Sequence, residues 1–86
     1  MTDEEVQQLA EEFVENIPDP NKELIIRFAK DCNNSGDTMP TSLGQIERIL
    51  HIYDTNDKRQ RFNSFIKSIN PRLDIHAIWE NPGRMG

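Results

Sequence analysis

At 86 residues the chain sits below the size at which a hydrophobic core divides, which excludes a multidomain enzyme. Hydrophobic residues make up 35% and charged residues 29%, a polar balance, yet the apolar positions recur too regularly for a disordered chain. The formal charge of −5 is unevenly spread: residues 1–42 hold three Lys or Arg against ten Asp or Glu, and residues 43–86 hold seven against five. Such a dipolar chain opposes nonspecific nucleic-acid binding by its whole surface, because each phosphate contact needs a cation.

No apolar run is longer than Leu24-Ile25-Ile26, and Asp3, Glu4 and Glu5 stand where a secretory signal needs positive charge. The expectation is a soluble, cytoplasmic protein with no membrane partner. A single cysteine, Cys32, allows no internal disulfide, so packing alone must stabilise the fold. The sequence predicts one helical domain over residues 1–80, followed by a flexible tail at 81–86.

In the first segment Val6, Leu9, Ala10, Phe13, Val14 and Ile17 recur at the three-and-four spacing of one helical face. Thr2 followed by Glu5 matches a capping box, and Pro18 and Pro20 end the helix. Glu4, Glu5, Glu11, Glu12 and Glu15 project away from the apolar stripe, forming either a solvated face or an acidic docking surface.

Asp19-Pro20 predicts the start of a second helix that runs to about Cys32, with Leu24, Ile25, Phe28, Ala29 and Cys32 as a broad apolar stripe. Ile26 falls on the opposite side. Cys32 lies on the stripe and reads as a small buried hydrophobe rather than a reactive thiol. The turn-rich stretch from Asn33 to Thr41 predicts the longest loop.

A third helix is expected from near Ser42, which with Gln45 matches a second capping box, to near Asp54. Its buried face holds Leu43, Ile46, Ile49, Leu50 and Tyr53, while His51 faces outward. Gly44 in the first turn would allow another backbone or a ligand to approach closely. Ile52 lies off the stripe, as Ile26 does, and the two suggest an exposed partner-binding patch. Thr55 or Asn56 caps a fourth helix with Phe62, Phe65, Ile66 and Ile69 buried, stopped at Asn70-Pro71. Leu73, Ile75, Ile78 and Trp79 predict a short terminal helix or turn starting at Asp74. The fold class is all-α: four main helices plus a short C-terminal one, with Val6, Leu9, Phe13, Phe28, Ile46, Leu50, Phe62, Phe65 and Ile69 in the core.

Groups for catalysis are sparse. Cys32, His51 and His76 come from three separate elements without the close paired spacing that holds a metal, and there is no phosphate-binding glycine loop, nucleophile elbow or zinc-protease motif. Outward-facing carboxylates have nothing to raise their pKa for acid–base work. No enzyme activity, cofactor or metal is expected. Positive charge gathers at Lys58, Arg59, Arg61, Lys67 and Arg72, with Asn63 able to read a base edge if its helix enters a groove. Arg59 and Arg61 flank the apolar stripe on opposite sides and Lys67 points outward, so these cations also read as a solvated rim around a core helix.

The run from Asn21 to Asp31, a Gly-containing turn, and the run from Thr41 to Leu50 resemble the N-terminal helical core-binding domain of tyrosine recombinases, especially archaeal and phage integrases. Phe62 to Ile69 and the stretch from Pro71 to Trp79 are similar to the last helix and exit of that domain. The chain departs from the family in lacking a catalytic domain, in being short by one helix and in being acidic, so the resemblance implies at most a DNA-associated helical module. Two functions stand side by side. The first is a noncatalytic protein-binding module or regulator of phage or mobile-element origin, a possible nucleic-acid mimic, using Glu4, Glu11, Glu12, Glu15, Ile26 and Ile52. The second is a DNA-binding module using Lys58, Arg59, Arg61, Asn63, Lys67 and Arg72. Charge balance favours the first.

Overall fold

The computed structural model describes residues 1–36 and 43–73. Four helices follow one another: α1 (Asp3–Phe13), α2 (Asn21–Asn34), α3 (Leu43–Ile52) and α4 (Asn56–Ile69). Among the described residues there is no strand, so the all-α fold read from apolar periodicity is the fold observed. The short terminal helix expected from Asp74, the tail at 81–86, the Ser42 cap and His76 lie outside the described residues.

Local chemistry sets the ends of the helices. At the start of α1 the Thr2 hydroxyl accepts from the Glu5 backbone N–H (3.2 Å) and the Glu5 carboxylate accepts from the Thr2 backbone N–H (3.0 Å), which completes the capping box. Donation from the Thr2 backbone N–H first, and from the Thr2 hydroxyl to the same carboxylate (3.1 Å) second, holds the Glu5 carboxyl below its ordinary pKa. Thr55 caps α4 by accepting from the Lys58 N–H (3.3 Å). The second helix differs from expectation. It starts at Asn21, with Pro20 in the capping position and no side-chain cap, so Asp19 does not serve as the acceptor. It also continues past Cys32 to Asn34 before Gly36, at φ +67, turns the chain in the left-handed region open to glycine. The first helix stops at Phe13 rather than running to the prolines, with Val14 in the C-capping position. The chain leaves through a turn in which the Ile17 N–H donates to the Val14 carbonyl (2.9 Å).

Two buried clusters hold the bundle. The larger one gathers Val14, Ile25, Phe28, Cys32, Ile46, Ile49, Tyr53, Phe62, Ile66 and Leu73, and the smaller one joins Val6 and Ala10 of α1 to Ala29 and Ile69. Phe62 lies at the centre, with ring centroids 4.7 Å from Tyr53, 5.8 Å from Phe28 and 6.1 Å from Phe13. The Phe13 and Phe65 rings stack at 4.2 Å and tie the end of α1 to α4. Of the expected core, Phe13, Leu50 and Phe65 are half-buried and packed against the larger cluster. Leu9 is not in the core: it is 37% exposed, because α1 rests on its neighbours through Val6 and Ala10 and leaves Leu9 at the edge of the stripe. Gly44 is exposed with nothing within 4 Å of where a Cβ would sit, so no close approach explains it among the described residues.

The Tyr53 hydroxyl is buried without a hydrogen-bond partner among the described residues, and burial raises its pKa. An unpaired buried hydroxyl is a cost. Tyr53→Phe keeps the ring stack and removes that hydroxyl, so the variant should gain about 1 kcal/mol in chemical denaturation. A loss of that size would mean that the hydroxyl is bonded in solution.

Candidate functional site

The sequence-derived candidates fall on two surfaces, and the structure treats them differently. On α1, Glu4, Glu11, Glu12 and Glu15 are all exposed. Gln8, Glu11, Glu12 and Glu15 line one shallow surface depression, so three carboxylates share a single face. Glu11 accepts a hydrogen bond from the Gln7 amide, whereas the side chains of Glu4, Glu12 and Glu15 make no hydrogen bond or ion pair among the described residues. Residues 1–21 carry Asp3, Glu4, Glu5, Glu11, Glu12, Glu15 and Asp19 and no Lys or Arg, so the side-chain charge of this segment is all negative.

Ile26 and Ile52 are not the exposed patch expected of them. Both are half-buried: Ile52 packs against the larger cluster and Ile26 against both clusters. A helical wheel drawn for one neighbour put Ile26 outside, but α2 packs on α1 and on α4, so its buried arc is wider than a single stripe.

The basic residues of α4 do not form one array. The Arg59 guanidinium turns back onto the end of α3, where Nε donates to the Tyr53 carbonyl (2.7 Å) and a terminal nitrogen donates to the Leu50 carbonyl (3.4 Å). It satisfies carbonyls that a helix C-terminus leaves unpaired and places a cation at the negative end of the dipole. Lys58 pairs with Asp54 at 3.2 Å, which lowers the pKa of the Asp54 carboxyl through the hydrogen bond and the neighbouring charge. Asn63 is half-buried, with its Oδ1 buried and without a partner among the described residues, poorly placed to read a base edge. Arg61, Lys67 and Arg72 remain exposed.

Cys32 is fully buried, and its thiol is pushed up to about 12, by burial first and by neighbouring Asp31 second. The thiol is neutral in both folded and unfolded chains below its ordinary value of 9.0, so its contribution to stability is complete there. Between pH 9 and about 12 only the unfolded thiol ionises, and stability is lost as pH rises. Melting temperature should therefore fall with pH over this range less steeply for Cys32→Ala than for the parent. Equal slopes would mean that the thiol is not desolvated. His51 is exposed, and among the described residues no group of three His, Cys, Asp or Glu is placed to hold a metal ion.

Asn70 escaped the sequence reading. Only 8% exposed, its amide nitrogen donates to the Cys32 carbonyl (2.8 Å) and the Gly36 carbonyl (2.7 Å), and its Oδ1 accepts from the Arg72 N–H (3.1 Å). One side chain thus joins the end of α2, the turn after it and the exit from α4. An Asn before a proline reads as a helix stop. Nothing local marks partners 34 and 38 residues away.

Comparison with protein-family models, curated proteins and solved structures finds no match to this chain. Among the described residues, fold and surface define a small all-α bundle of four helices, one of them strongly acidic. No helix among the described residues is long and apolar enough to cross a membrane.

Proposed function

We propose that this protein is a noncatalytic binding module whose acidic α1 face docks a basic surface of a protein partner. The observation that carries this reading is the run of seven Asp or Glu and no Lys or Arg side chain in residues 1–21, presented on exposed side chains that form no ion pair among the described residues. Charge of this kind steers encounter and selects partners by complementarity. Occupying a groove built for nucleic acid is one form of such docking. The diversion of Arg59 to α3 and of Lys58 to Asp54 weighs against the recombinase-like DNA reading, because it leaves fewer free cations than the sequence count suggests.

The test uses parent protein and the Glu11→Lys, Glu15→Lys double variant as parallel baits, with melting temperatures confirming that both are folded. A partner recovered on the parent should associate with the variant about tenfold more slowly at low salt, and the two rates should converge at high salt. A partner that associates equally fast with both excludes the α1 face.

A further inference from the structure

We draw no further inference here: the strongest candidate, the shallow groove between α1 and α2 where Arg27 and Lys30 stand beside half-buried Ile26, carries nothing, because Glu23 lines the same groove and nothing in the structure shows what covers it.

Discussion

Replacing Phe62 by alanine will cost about 3–5 kcal/mol, the loss expected when a fully buried phenylalanine is removed from a core that cannot close over the space. Phe62 has no exposed surface, and its ring meets Phe13 from α1, Phe28 from α2, Tyr53 at the end of α3 and Phe65 one turn along α4. The contacts come from every helix, so neighbouring side chains cannot relax into the void without moving helix axes. Native domains have roughly 5–15 kcal/mol in hand, and small ones lie at the low end, so the variant should be substantially unfolded at 37 °C. Phe65→Ala, at a half-buried position, should cost less. Urea titration of both variants checks the order, and an equal or larger loss at Phe65 would contradict the packing described here.

Asn70→Asp should destabilise the fold by about 3 kcal/mol although it changes hardly any volume. The substitution removes the donors that serve the Cys32 and Gly36 carbonyls and sets a carboxylate against those same oxygens. Burial and the facing carbonyls raise the pKa of the introduced carboxyl in the folded state. For an acid shifted upward, stability lost at neutral pH returns as pH falls through the folded pKa. The variant should therefore melt higher relative to the parent at about pH 4 than at about pH 7. A constant difference would mean that the carboxylate reaches water and that Asn70 does not bridge the two helix ends.

How far the residues announce this architecture depends on the range of the interaction. The four main helices, the Thr2–Glu5 box, the Thr55 cap and the stop at Asn70-Pro71 are written in stretches of a few residues, and each is found as read. Facing is less legible. Leu9 fits a helical stripe as well as Val6 does, and only the lie of α1 against α2 decides that one is exposed and the other buried. Ile26 fails in the other direction, because a wheel cannot show that α2 has two neighbours. The surface candidates divide in the same way. The acidic face of α1 is local, since consecutive turns of one helix carry it. The basic cluster of α4 was counted from composition, whereas the place of Arg59 depends on the turn that brings the end of α3 back to the start of α4. Asn70 is the extreme case, a helix stop by local rules and a three-way bridge only in the folded chain.

If the proposed docking role holds, the charge of α1, and not that of α4, decides what the protein meets. A mobility-shift titration of the parent chain against a mixed-sequence DNA duplex at low salt tests it most directly. Negative charge over α1 repels phosphate, Arg59 is turned onto the end of α3 and exposed Lys58 is paired with Asp54, so no retention is expected even at the highest protein concentration. Retention that falls linearly in log affinity with log salt, and whose slope drops by about one unit when Arg61, Lys67 or Arg72 is changed to alanine, would contradict it.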